Sequence, residues 1–182
     1  MRYEIVIAGT GGQGVVLAGT IIGTAAAVHQ GLRATQVSSY GPEARGGHVY
    51  TEVVISDQEI DYPRAMRPDV LVAMSNWAYE EFARSVKEGG IIIYDPDLVS
   101  PGEAPEGVRL LPVRATQVAE EEVGLRLSAN MVMLGVLTAI CDVLEEGPMR
   151  EAIRDRVRRS LEQNLRAFEL GLELGAKLRS SR

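Results

Sequence analysis

The pattern of apolar and polar positions alternates between two kinds of segment along the chain. The run "YEIVIAG" is apolar on both faces, rich in β-branched residues and ends at glycine, which predicts a buried strand. "QGVVLAGTIIGTAAAVHQG" predicts a helix closed by Gly31, and "ATQVSSY" a second strand. "GPEARGG" is a loop by composition. "HVYTEVVIS" alternates and is expected to form a hairpin with "QEIDY" around Ser56, Asp57 and Gln58. "DVLVAMS" is an apolar strand, and "NWAYEEFARSVK" a helix capped by its asparagine and stopped at Gly89 and Gly90. "IIIYD" and "VRLLPV" are further strands around the loop "SPGEAPEG", and "SANMVMLGVLTAICDVL" is an apolar helix. Beyond Pro148, Met149, Ile153, Val157, Leu161, Leu165, Phe168 and Leu172 recur at steps of three and four. That spacing predicts an amphipathic helix, broken near Ser160, whose charged face meets solvent.

Strands apolar on both faces, alternating with helices, imply a largely parallel sheet covered on both sides. The fold class expected is a doubly wound, Rossmann-like α/β domain with the C-terminal helices packed on the same sheet. No repeat or linker divides residues 1–182, so a single domain is expected.

Composition narrows the function. The chain has 182 residues, with 46% hydrophobic and 24% charged, an ordinary globular balance. A net charge of −6 argues against a general nucleic-acid or anionic-membrane binder. One cysteine, Cys141, and two histidines, His29 and His48, cannot hold an iron–sulfur cluster or structural zinc alone. The expectation is a cytoplasmic protein that binds no metal by itself. A signal peptide is disfavoured: Glu4 sits in the would-be basic region, and Gly9, Gly11, Gly12 and Gly14 interrupt the apolar segment.

Gly9, Gly11 and Gly14 satisfy G-x-G-x-x-G between a strand and a helix, the context of a phosphate-cradling loop. Its usual partner is missing. A dinucleotide site places an acidic residue about 20 positions on, to hold the ribose. No Asp or Glu lies between Glu4 and Glu43, and the second strand ends in Ser38, Ser39 and Tyr40. An NAD dehydrogenase is therefore disfavoured, as is an NADP enzyme, which would need a basic residue at that strand end. The helix after the loop has no charged residue from Ile5 to Leu32. One side meets the sheet. The other is covered either by a partner subunit, the preferred reading, or by the C-terminal helices.

The second informative stretch, "SSYGPEARGGHV", falls at the carboxyl edge of the sheet, where ligands meet such folds. Glu43 and Arg45 are displayed between Gly41–Pro42 and Gly46–Gly47. Arg45, with little freedom, suits a forked hydrogen bond to a carboxylate or phosphate. Tyr40 and His48 are acid–base candidates, although packing is the commoner role for such residues. Trp77 and Met74 read as packing residues. Asn130 either caps its helix or faces the crevice.

"GTGGQGVVLAG" followed by "SYGPEARGGHV" closely resembles the gamma subunit of the 2-oxoacid:ferredoxin oxidoreductases. "PDVLVAMS", "GIIIYD", "NMVMLG" and "NLRAFELG" match further blocks in the same order, so the resemblance covers nearly the whole chain. It implies one gamma-type domain of the pyruvate/ketoisovalerate oxidoreductase kind over residues 1–182. The wording is nearer the 2-oxoglutarate and branched-chain members than the indolepyruvate ones. The implied complex decarboxylates a 2-oxoacid on thiamine diphosphate with Mg2+. It passes electrons through iron–sulfur clusters to ferredoxin and the acyl group to coenzyme A. Implied partners are the alpha and beta subunits and, where present, a ferredoxin-like delta subunit. This chain would hold no catalytic residue. Its implied cofactor-facing residues are Gly9, Gly11, Gly12, Gln13, Gly14, Ser39, Tyr40, Glu43, Arg45, Gly46, Gly47 and Asn130. Single-chain pyruvate enzymes carry a Lys–Asn pair just after the glycine loop; here "VVLAGT" has no lysine, a departure that bears on phosphate pairing. Two rival readings are a stand-alone nucleotide-dependent oxidoreductase and a purely structural subunit whose glycine loop only packs.

Overall fold

The computed structural model describes residues 1–40 and 47–181. Among these residues, six strands form one sheet in the order β2-β3-β1-β4-β5-β6. The strands are β1 (Arg2–Thr10), β2 (Arg33–Tyr40), β3 (His48–Ser56), β4 (Val70–Ala73), β5 (Ile91–Tyr94) and β6 (Arg109–Pro112). β1, β4, β5 and β6 run parallel, while β3 is antiparallel to both of its neighbours, β1 and β2. The expected mostly parallel sheet is present, with one antiparallel strand inserted beside β1.

That insertion corrects the hairpin expectation. β3 pairs back onto β2, and "QEIDY" is not a strand; residues 57–69 form an irregular connection. Two buried carboxylates pin it. Glu52 accepts from Arg64 Nε at 2.7 Å, Arg64 Nη2 at 3.0 Å and the Ala65 amide at 3.1 Å. Glu4 accepts from Arg2 Nε at 2.9 Å and the Arg67 amide at 2.8 Å. Side chains thus use this segment's bonding groups, and satisfy charges that would be costly to bury alone.

The helices are α1 (Val15–Thr24), α2 (Asn76–Phe82), α3 (Ala115–Val118), α4 (Ala129–Ile140), α5 (Glu146–Arg156) and α6 (Leu161–Ser180). Two apolar cores flank the sheet. The larger gathers Ile5, Ile7, Ile21, Ile22, Val53, Leu134, Ile153 and Phe168; the smaller gathers Val6, Leu71, Ala78, Tyr79 and Ile92. The break expected near Ser160 is present: α5 ends at Arg156 and α6 follows Ser160, which has a φ of 54°. α2 starts one residue earlier than expected in its capping. Ser75, with extended backbone, accepts from the Ala78 amide at 3.1 Å, whereas Asn76 Oδ1 accepts from the Ser100 amide.

α1 packs on β1, β2 and β3 and is covered on its other side by α4 and α5. Ile21, Ile22, Ala25 and Ala26 are fully buried within the chain itself. The uncharged helix is therefore explained mainly by its own C-terminal helices, not by a partner subunit. Beyond Thr24 it continues as a π-helical turn, Ala25–His29, where Ala27 and Val28 emerge into solvent. α4 and α6 cross at very close range. A Cβ on Gly135 would strike the Phe168 carbonyl, and one on Gly171 the Val132 carbonyl. Among the described residues, no helix is long and apolar enough to cross a membrane.

Candidate functional site

The glycine loop joins the carboxyl end of β1 to α1, at the sheet edge where the parallel strands all end. Its inner wall is closed by the protein's own side chains. The Gln13 side chain folds back, accepting from the Thr10 amide at 2.7 Å and donating to the Met74 carbonyl at 2.9 Å. A Cβ on Gly9 would strike that Gln13 amide oxygen. Gly14 caps α1 with a φ of 71°, a left-handed conformation that favours glycine. Its carbonyl accepts from the Ala18 amide at 3.0 Å, opening the helix ladder, and from Asn130 Nδ2 at 3.2 Å. Asn130 is 4% exposed and its Oδ1 accepts from the Met131 amide at 2.9 Å. It sits inside the first turn of α4, facing the loop, and does not cap the helix.

The outer wall is different. Gly11 and Gly12 are exposed, and a Cβ on Gly12 would meet nothing within 4 Å, so only its φ of 92° demands glycine. The loop is also tied to the second motif. The Gly11 amide donates to the carbonyl of buried Gly47 at 2.9 Å. Glycine loop, Gly47 and Asn130 thus form one unit assembled from three distant stretches of sequence.

Ser39 and Tyr40 do not join it directly. They end β2, opposite Tyr50 and Val49, and β3 lies between β2 and the glycine loop. Two strand spacings separate them from β1, roughly 10 Å. Tyr40 is 68% exposed at that edge. In a dinucleotide fold the strand after the first helix lies beside β1 and presents the ribose-binding acid. Here β3 occupies that place, which accounts for an empty ribose position in the sequence. Glu43, Arg45 and Gly46 lie outside the described residues.

Two arrangements escaped the sequence reading. His48 stacks flat on Trp77, with centroids 4.2 Å apart and planes 7° from parallel, and Phe82 meets Trp77 edge-on. His48 pairs with Thr10 across the sheet, so this aromatic pair flanks the glycine loop. Asp95, 1% exposed just past β5, accepts from the Thr116 amide and hydroxyl at 2.9 and 2.7 Å and the Asp97 amide at 3.0 Å. The carboxylate is fully engaged in holding the turn into α3. The terminal Asp of "IIIYD" was its only sequence signal.

The chemistry this edge offers is recognition. No group of three or more His, Cys, Asp or Glu side chains gathers for a metal among the described residues. Cys141 is buried far from the loop, beside Tyr3, and burial raises its thiol above the ordinary range.

Residues 4–174 match the family model for pyruvate ferredoxin/flavodoxin oxidoreductase. The chain is 46% identical over 180 residues to the 2-oxoglutarate synthase subunit KorC of Methanocaldococcus jannaschii, covering 98% of this chain and 96% of that one. It is similar in structure to the gamma subunit of a keto/oxoacid ferredoxin oxidoreductase from Geobacter sulfurreducens. There the TM-score is 0.84 at 36% identity, over 96% of this chain and 99% of that one. It also matches 2-oxoglutarate:ferredoxin oxidoreductase from Magnetococcus marinus, solved with 2-oxoglutarate, coenzyme A and succinyl-CoA bound. That TM-score is 0.86 at 30% identity, over 97% of this chain but 31% of that one.

Proposed function

Because the chain belongs to the pyruvate ferredoxin/flavodoxin oxidoreductase family, as a gamma-type subunit of a 2-oxoacid:ferredoxin oxidoreductase, we propose that its complex acts on 2-oxoglutarate. The observation carrying this reading is the end-to-end likeness, at 46% identity, to a 2-oxoglutarate synthase subunit of nearly the same length. The reaction decarboxylates the 2-oxoacid, transfers its acyl group to the thiol of coenzyme A, and delivers the released electrons to ferredoxin. The whole of residues 1–182 serves as one domain, in the cytoplasm, alongside alpha and beta subunits.

The described residues of this chain do not fit an iron–sulfur cluster, since the chain's single cysteine is buried and no donor group gathers around it. They do not fit a thiamine diphosphate–Mg2+ site for the same lack of donors. Those groups are assigned to partner subunits. Coenzyme A is a partial fit. Gln13 and Asn130 fill the inner wall of the glycine loop, so any phosphate contact belongs to the outer wall at Gly11 and Gly12. The loop's role toward coenzyme A is orientation: its bracing by Gly47 and Asn130 keeps the outer wall fixed. Ser39 and Tyr40 end β2 at the same side of the sheet; Glu43, Arg45 and Gly46 remain candidates on their chemistry alone, the fork of Arg45 matching a phosphate or a partner carboxylate.

The purified complex tests this. Viologen reduction dependent on coenzyme A should be fastest, per KM, with 2-oxoglutarate. Preference for pyruvate, 2-oxoisovalerate or indolepyruvate would refute the substrate. Arg45→Lys keeps charge and loses the fork. A raised KM for coenzyme A with intact assembly supports the coenzyme A role, whereas loss of assembly moves Arg45 to a subunit contact.

A further inference from the structure

Among the described residues, β2 is the edge of the sheet, paired on one side only, by β3. Edge strands are normally guarded by charge, proline or a bulge. From Ala34 to Tyr40 this one carries no charged residue and no proline. Beside it runs a groove of about 250 Å3 between β2 and the far end of α1. Thr20, Gly23, Ala27 and Val28 form its helical wall, and Gln36 its strand wall. Val28 is 66% exposed there, at the π-helical turn.

The charge around this groove is opposite to that of the chain. Net charge is −6, yet Arg156 closes one end. Its Nε donates to the hydroxyl of buried Thr24 at 2.9 Å, which fixes the guanidinium at the groove mouth. Arg156 has no carboxylate partner among the described residues, nor have exposed Arg158 and Arg159 just after it or Arg33 at the start of β2. The nearby acid, Asp155, is engaged by His29 at 2.6 Å.

We propose that this edge and groove receive an extended, acidic segment of a partner subunit, which adds a strand to β2 and places a carboxylate on Arg156. Unpaired β2 backbone supplies the affinity, the uncharged groove takes alternate side chains, and the fixed guanidinium sets the register. Charge complementarity is what selects the occupant. A second copy of this chain would bring the same arginines face to face across a twofold axis. The Magnetococcus relative also gives such a surface something to meet, since a chain like this one makes up only 31% of that polypeptide. The inference rests on the reading of this chain as one subunit of a larger complex.

The test uses the complex reconstituted from its subunits. Arg156→Lys keeps the charge but loses the bond to Thr24 and is expected to weaken assembly only a few-fold, while Arg156→Glu and Val28→Asp weaken it at least about tenfold, each variant chain still melting cooperatively. Hydrogen exchange of the β2 amides facing away from β3 is expected to slow by at least about tenfold on assembly. Equal assembly of the reversed-charge variant, or equal exchange in free and assembled chain, overturns the proposal. So does concentration-dependent self-association that Val28→Asp abolishes, which would make the occupant a second copy. Turnover of 2-oxoglutarate is measured separately. An active complex indifferent to Arg156→Glu refutes the docking site alone, and a charge-dependent complex that prefers another 2-oxoacid refutes the substrate alone.

Discussion

The side-chain amide of Asn130 donates a 3.2 Å hydrogen bond to the carbonyl of Gly14, a residue 116 positions earlier, and fills the space a Cβ on Gly14 would need. Glycine at 14 is therefore required twice, by its left-handed backbone and by its neighbour. The two requirements are separable. Gly14→Ala should destabilise the chain by at least about 1 kcal/mol from backbone strain, with the clash added. Asn130→Ala should cost about 1–3 kcal/mol by removing a buried hydrogen bond. In the double variant the alanine at 14 has room, so urea titrations should show a coupling energy above about 0.5 kcal/mol. Strict additivity would mean the two residues do not constrain each other.

The α4–α6 crossing predicts a second effect. Gly135 and Gly171 each lie against backbone of the opposite helix, and Gly175 packs on Ala139. Backbone cannot rotate away as a side chain can. Alanine at 135 or 171 should cost about 1–3 kcal/mol or more from overpacking, read as a lower Tm. Alanine at Gly147, where nothing lies within 4 Å of a Cβ, is the control and should change Tm little. Equal melts for all three would show that the helices separate at no cost.

The buried side of α1 predicts a third. An aspartate at Ile22 or Ala26 would sit unpaired in the chain's own core and cost several kcal/mol, so soluble protein should not accumulate. Val28→Asp, on the same helical segment but exposed, should express and melt like wild type. Soluble Ile22→Asp chain with a native melt would disprove the packing of α5 on α1.

Cys141 and Tyr3 predict an alkaline limit to stability. Burial raises both groups above their ordinary values of 9.0 and 10.0; their mutual contact raises Tyr3 further and offsets part of the rise at Cys141. For acids raised in the folded state, the stabilising difference is complete below the unfolded values. It is lost as pH climbs through the thiol and phenol range, because only the unfolded chain ionises there. Stability should fall above about pH 9, and Tyr3→Phe should flatten that slope if its side chain packs equally well. A thiol reagent should label Cys141 at the rate of unfolding, not at that of an exposed thiol. Rapid stoichiometric labelling of native protein would contradict the burial.

Much of the fold was legible because it is written in local periodicity. The strands, the break near Ser160 and the stop at Gly31 all follow from residues within a turn or two of each other. The hairpin failed for a non-local reason. β3 alternates equally well with either neighbour, and the choice fell to Glu52 and Glu4, whose charges needed Arg64 and the amides of residues 65 and 67. Those bonds hold residues 57–69 as an irregular strap. A one-dimensional pattern does not weigh the cost of leaving a buried carboxylate unpaired.

The sequence by itself determined the alternation of strand and helix, the two glycine motifs and the family they resemble, because each depends on residue types at short spacing. Tertiary structure alone decided that β3 separates Ser39 and Tyr40 from the glycine loop, and that Gln13 and Asn130 fill the loop's inner wall. It also decided that α4 and α5 cover most of the uncharged helix and leave Ala27 and Val28 exposed. The physical reason is common to all three. Strand order, side-chain closure of a loop and the second face of a helix are contacts between residues far apart in the chain. Their energies depend on which surfaces meet, and neither periodicity nor composition carries that information.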